Sequence, residues 1–118
     1  MNIREIVLQT ISIEALTIQR LSSAIDDTYE AAVNAIYNST GRVVVTGIGK
    51  SAIIGQKIVA TMNSTGTPSI FMHAADAVHG DLGMIREDDI VLCISKSGES
   101  PEIKVLLPFV KSYSNKVI

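Results

Sequence analysis

The sequence is short of several residue types whose abundance marks particular protein classes. It has a single cysteine, no tryptophan, three prolines and only 4% aromatic residues. One cysteine cannot make an internal disulfide, which excludes a disulfide-built secreted scaffold and fits a reducing compartment. In the strand-like run Val91-Leu92-Cys93-Ile94 it reads as a small buried hydrophobe. No apolar run approaches the ~20 residues needed to span a bilayer, and the N-terminus lacks a basic region followed by an apolar core. The expectation is a cytoplasmic chain, neither exported nor embedded in a membrane. Ten Lys and Arg against twelve Asp and Glu leave a net charge of −2, so nothing general attracts nucleic acid or an anionic membrane surface. What the sequence does have is 47% hydrophobic residues in 118 positions, enough for one domain or part of one.

Periodicity divides the chain. From Asn2 to Asn38 the apolar positions Ile11, Ala15, Ile18, Leu21, Ile25, Tyr29, Ala32 and Ile36 recur in steps of three and four, which predicts helix. Asn2 and Glu5 resemble a capping box, Ser22-Ser23 predicts a break into two helices, and Gly41 stands where the segment should end. Past Gly41 the period changes. Val43-Val44-Val45 predicts a strand covered on both faces, Ser51 to Ser64 a helix with Ile54, Ile58, Val59 and Met62 inward, and Ser69 to Met72 a second strand. An irregular stretch with His73, Asp76, His79, Gly80, Asp81 and Gly83 follows, then a charged turn at Arg86 to Asp89 in which Glu87, Asp88 and Asp89 read as solvated. Ile90 to Ile94 predicts a third strand, Pro101 to Tyr113 a helix with Ser100 as N-cap, and Lys116 to Ile118 the start of a fourth strand. Alternating strands and helices predict an α/β fold: a three-layer, doubly wound parallel sheet of flavodoxin-like order 2-1-3-4. Residues 1–40 are expected to form an N-terminal helical segment that packs on the domain or on a partner subunit, and 41–118 the α/β domain.

Two loops carry the chemistry: Gly47-Ile48-Gly49-Lys50-Ser51 after the first strand and Ser95-Lys96-Ser97-Gly98-Glu99-Ser100 after the third. Each combines small residues, which let backbone N–H groups approach an anion, with hydroxyl donors and a following helix N-terminus. In the order 2-1-3-4 both flank the topological switch point, where ligands of such sheets bind. Gly49, Ser51, Ser95, Ser97, Gly98 and Ser100 are therefore candidate ligands of a phosphorylated small molecule. A Walker loop would need glycine at Val44, so that reading fails on spacing. Gly47-x-Gly49-x-x-Ala52 fits a relaxed dinucleotide fingerprint, which keeps a nicotinamide-binding domain as an alternative, although Met72 and His73 occupy the position of its acidic companion. Glu99 beside a phosphate loop is a candidate base, against the alternative that it only complements the helix dipole, and His79 is a hydrogen-bonding or proton-transfer residue or one that fixes the loop. His73, Asp76, His79 and Asp81 lie in a row of ligand types, but their spacing on an irregular loop is weak evidence for a metal, and none is assigned.

With these motifs in hand the chain resembles the sugar isomerase (SIS) domain, and within it the arabinose 5-phosphate isomerases of the KpsF/GutQ kind. Residues 43–51, Ser-Thr-Gly-Thr-Pro at 64–68, His-Gly-Asp-Leu-Gly-Met at 79–84 and Ser-x-Ser-Gly-Glu-Ser at 95–100 follow that family's order and spacing. The resemblance implies reversible conversion of D-ribulose 5-phosphate to D-arabinose 5-phosphate, feeding Kdo for lipopolysaccharide or capsule, without metal or cofactor. It carries catalytic roles to Lys50, Glu99 and His79, and phosphate-side hydroxyls to Ser51, Ser95, Ser97 and Ser100. Such chemistry needs a base for a carbon-bound proton and a cation or donor for the enediolate, and the expectation is that Glu99 is the base and Lys50 the stabiliser. Members are oligomeric, so a homo-oligomer, a dimer of dimers, is expected. They also continue through further sheet, so 41–118 is expected to be the front, incomplete portion of such a domain. Departures are Ala52-Ile53 for Gly-His, His73-Ala74-Ala75-Asp76 for His-Pro-x-Glu, and Lys96 for a residue that is often Asn. The rival reading is a non-catalytic SIS module sensing a phosphosugar or sugar nucleotide. It would use the same serines but has no need of the Lys50 and Glu99 pair.

Overall fold

The computed structural model describes residues 2–113 and 115–118. The chain divides into two compact units, the first ending at Val33 and the second running Asn34–Ile118. The first contains α1 (Ile3–Leu21) and the larger part of α2 (Asp27–Tyr37). Asn2 Oδ1 accepts from the Glu5 backbone N–H at 3.3 Å, the forward half of the expected capping box. The helix gives way at the two serines: Ser22 and Ser23 donate their hydroxyls to Gln19 and Arg20 carbonyls at 2.8 and 2.7 Å, within a 3-10 turn at Ser22–Ala24. None of α1 or α2 is buried, and Ile11, Ile18, Leu21 and Ile25 are exposed.

In the second unit, β1 (Val43–Gly47), β2 (Ser69–His73), β3 (Ile90–Ile94) and β4 (Lys116–Val117) form a parallel sheet in the order β2-β1-β3-β4. Every residue of β1 is buried, as its β-branched run predicts for a strand with helices on both faces. Successive side chains of a strand point to opposite faces, and the contacts follow that rule. On one face Val44, Met72 and Val91 pack with α4 (Ala74–Ala77) and with Ile103, Leu106 and Val110 of α5 (Pro101–Ser112). On the other, α3 (Lys50–Ser64) lies on β1 and β2, with Gly55 close against Val45 and Phe71.

Several expectations are corrected. Ile54 does not point inward: it is exposed, and Ala52 and Gly55 are the buried residues of α3, because a helix lying this close to the sheet needs small side chains at the contact. The stretch after β2 is not irregular throughout, since α4 and a 3-10 turn at Asp81–Met84 occupy it. Cys93 is half-buried, and desolvation pushes its thiol above the ordinary value. Gly41 does not end a helix. The helix stops at Tyr37, and a Cβ at Gly41 would lie 2.1 Å from the Asp88 carbonyl oxygen, so close approach of two backbones demands glycine there.

The largest correction concerns Asp89, which is buried rather than solvated. Its carboxylate accepts from Arg42 N, Nε and Nη2 at 2.9, 3.1 and 2.7 Å and from Arg86 N at 2.9 Å. Burial alone would raise its pKa. The hydrogen bonds from Arg42 and Arg86, together with the Arg42 charge, outweigh that and hold it below the usual carboxylate value.

Candidate functional site

The strand register decides where the two loops lie. Gly47, the last residue of β1, pairs with Ile94, the last of β3, on one side and with His73, the last of β2, on the other. Neighbouring strands are about 4.8 Å apart, so both loops leave the sheet side by side at its carboxyl edge. They also touch. A Cβ on Gly47 would stand 3.2 Å from the Ile94 carbonyl oxygen and 3.1 Å from the Ser51 backbone, so glycine is what lets the first loop turn back tightly into α3 beside the end of β3.

Gly49 occupies the N-cap position of α3 with φ 60° and ψ −130°, a left-handed value that glycine adopts without strain. Having no side chain, it gives α3 no capping bond, and the first turn contains no acidic residue. The positive end of a 15-residue helix is thus left open. Lys50 is the first helical residue and exposed, and Ser51 is half-buried. A cation at a helix N-terminus opposes the macrodipole, so helix stability gives no reason for Lys50 to be there.

The second loop is organised by its own serines. Ser95 Oγ accepts from Gly98 N at 3.0 Å and Ser97 Oγ from Glu99 N at 3.1 Å. Gly98, at φ 68°, makes the sharp bend. A hydroxyl that accepts keeps its own O–H to donate, so both serines remain able to bind an anion. Ser100 stands at the N-cap of α5 and Pro101 at its first position, as expected, but the Ser100 hydroxyl makes no capping bond. The N-terminus of α5 is therefore also without a side-chain cap. Two such helix ends and four hydroxyls at one sheet edge suit an oxyanion of phosphate size.

Lys50, Glu99 and His79 are all exposed, and no hydrogen bond joins them among the described residues. The Glu99 carboxylate forms an ion pair with Lys104 on the second turn of α5. His79 lies in the turn after α4, its N–H donating to the Asp76 carbonyl at 2.9 Å; α4 itself packs against β2 and α5. Among the described residues no group of His, Cys, Asp and Glu could hold a metal ion. His73, first in the tempting row, caps α4 instead, its Nδ1 accepting from Ala75 N at 3.3 Å. Sequence reasoning missed this cap and the Lys104 pair. Histidine is not among the usual N-cap residues, so the first left no signal; the second joins residues five apart across the start of α5.

A separate open cleft of about 260 Å³ is lined by Ile85, Arg86, Glu87, Tyr113 and Asn115. Those residues precede β3 and β4, which puts the cleft at the amino edge of the sheet, away from both loops. Ligands of doubly wound sheets bind at the carboxyl edge, and the open helix ends lie there.

Comparison with known proteins identifies relatives. The SIS domain family model matches residues 35–118. A probable arabinose 5-phosphate isomerase of Haemophilus influenzae is 44% identical over 118 residues, all of this chain and 35% of the relative. An Escherichia coli CFT073 protein solved in complex with arabinose 5-phosphate matches with a TM-score of 0.84 and 38% identity over 99% of this chain and 64% of that one. A putative sugar-phosphate isomerase of Listeria monocytogenes matches with a TM-score of 0.90 and 33% identity over 99% and 63%. The chain spans about a third of the length of the curated relatives it matches.

Proposed function

The chain belongs to the SIS domain family, and from that premise we propose that it acts as an aldose-ketose isomerase, interconverting D-ribulose 5-phosphate and D-arabinose 5-phosphate. The observation that carries the reading is the pairing of Gly47 with Ile94, which brings two anion-binding loops to one sheet edge. The relatives named as arabinose 5-phosphate isomerases and the neighbour solved with arabinose 5-phosphate support the choice of sugar.

In this reading Gly49, Ser51, Ser95, Ser97, Gly98 and Ser100 hold the phosphate with the open N-termini of α3 and α5. Glu99 takes the proton from the carbon beside the carbonyl and returns it to the neighbouring carbon. Lys50 stabilises the enediolate oxygen between the two steps, and His79 moves the hydroxyl proton. Atoms and electrons balance, because one carbon is oxidised as its neighbour is reduced within the same molecule. Glu99 must first leave Lys104. The pair is solvent-exposed, and such pairs contribute only about 0–1 kcal/mol, so release is cheap. A cytoplasmic homo-oligomer belongs to the same proposal; among the described residues no helix is long and apolar enough to cross a membrane.

The test is an isomerisation assay with ribulose 5-phosphate on the protein beside its Glu99→Gln and Lys50→Ala variants. Each substitution should reduce kcat by at least about 100-fold, the range for losing a general base or a charge stabiliser. Full turnover by Glu99→Gln removes the base assignment. No turnover by the unaltered protein, with no binding of the sugar phosphate, removes the reading.

A further inference from the structure

His73 does more at the carboxyl edge than its place in the sequence suggests. It ends β2 and pairs with Gly47, one strand spacing from the first loop. Phe71 and His73 are two apart in the strand and so share a face, and their rings meet edge-on with centroids 6.3 Å apart. That face belongs to α3, because Phe71 lies against Gly55 of that helix. His73 therefore stands on the side of the sheet where the N-terminus of α3 presents Lys50 and Ser51.

The ring is held in one tautomer. Its Nδ1 accepts the Ala75 N–H at 3.3 Å, so in the neutral imidazole the proton sits on Nε2. Among the described residues nothing accepts from Nε2–H, and the side chain is only half-buried. The result is a rigid donor fixed by a backbone cap on one edge and a phenyl ring beside it, with its other edge uncommitted next to the site. Capping α4 alone would be met equally well by asparagine or serine, which are better N-caps. The helix therefore does not account for the second nitrogen.

We propose that His73 contacts the ligand's sugar chain, donating its Nε2–H to an uncharged oxygen of a polyhydroxy phosphate whose phosphate group sits in the two loops. This rests on the phosphosugar reading of those loops, and adds the residue by which the site distinguishes a sugar phosphate from phosphate alone.

The substitution that isolates the role is His73→Asn, which keeps an oxygen to cap α4 and removes the distant N–H. Binding of inorganic phosphate and of arabinose 5-phosphate is measured by titration of the full chain and of the variant, with far-UV circular dichroism as the check on folding. Inorganic phosphate should bind both equally, while arabinose 5-phosphate should bind the variant about five- to tenfold more weakly, the effect of one lost hydrogen bond to a neutral group. His73→Gln, whose amide reaches further than that of Asn, should recover part of the loss. Equal sugar phosphate affinity in His73→Asn and the unaltered chain overturns the inference, as does an equal loss for both ligands. A Ser95→Ala, Ser97→Ala double variant separates the two claims: if it binds both ligands normally, the phosphosugar reading itself fails, whatever His73 does.

Discussion

Asp89 gives the sharpest test of how the second unit is held together. Its carboxylate ties Arg42, at the entrance to β1, to Arg86, before β3, through four hydrogen bonds, and the charge pair is closed on the Asp89 side while Arg42 keeps 23% exposure. Asp89→Asn keeps one acceptor oxygen but replaces the other with an NH2 group that faces N–H donors, and it leaves the Arg42 charge without its partner. Breaking a fully buried pair costs about 3–5 kcal/mol; the partial exposure of Arg42 and the surviving oxygen bring the expected loss to about 2–3 kcal/mol. In a chain of this size that lowers Tm by roughly 10 °C. The assay is thermal unfolding followed by circular dichroism at fixed protein concentration, since any assembly would make Tm depend on it. The folded-state pKa of Asp89 is depressed, so its contribution is fully present above the unfolded value of about 3.9 and is lost as pH falls through the lower folded value. The gap between the unaltered chain and Asp89→Asn should therefore be constant from pH 7 to about pH 5 and close below about pH 4. A gap under 1 °C at pH 7, or one equally wide at pH 2.5, would refute the reasoning.

Other expectations follow from the same packing. Gly41→Ala puts a methyl group against the Asp88 carbonyl, a backbone atom that cannot yield cheaply, and should lower stability by at least about 2 kcal/mol in urea unfolding, far beyond the effect of an ordinary surface alanine. Leu106→Ala, at a site with no solvent exposure between α5 and the sheet, should cost about 2–5 kcal/mol, with the midpoint in urea as the readout. Gly49→Ala meets no neighbouring atom but forces a left-handed φ of 60° on a side chain. With ψ at −130° this lies outside the αL well that other residues occasionally visit, so it should cost about 1–3 kcal/mol of stability, visible as a drop in Tm.

Much of the fold and of the candidate site is legible in the order of residues. The change from helical period to β-branched runs at Val43, and again at Ile90, marks strands because only a sheet covered on both faces accepts uninterrupted apolar residues. Ser22-Ser23 reads as a break because serine hydroxyls compete locally for helix carbonyls. The two loops are readable for the same reason: small residues and hydroxyls before a helix act within a few residues of one another. What cannot be read depends on partners far along the chain. Asp89 looks like a member of a charged turn until Arg42, 47 residues earlier, folds beside it. Gly41 looks like a helix end until Asp88 approaches it. Ile54 fits an inward periodicity, but the face α3 turns to the sheet is decided by where Ala52 and Gly55 let the backbone come close.

Local chemistry along the chain was thus enough to determine the strand and helix alternation and the place of the two loops. The three-dimensional packing alone decided that Gly47 and Ile94 lie in register, that His73 joins them at the same edge, and that Asp89 is sealed inside. Hydrogen-bond periodicity and turn preferences act between near neighbours and leave a mark in the succession of side chains. Register and burial arise from contacts between segments whose separation along the backbone carries no such mark.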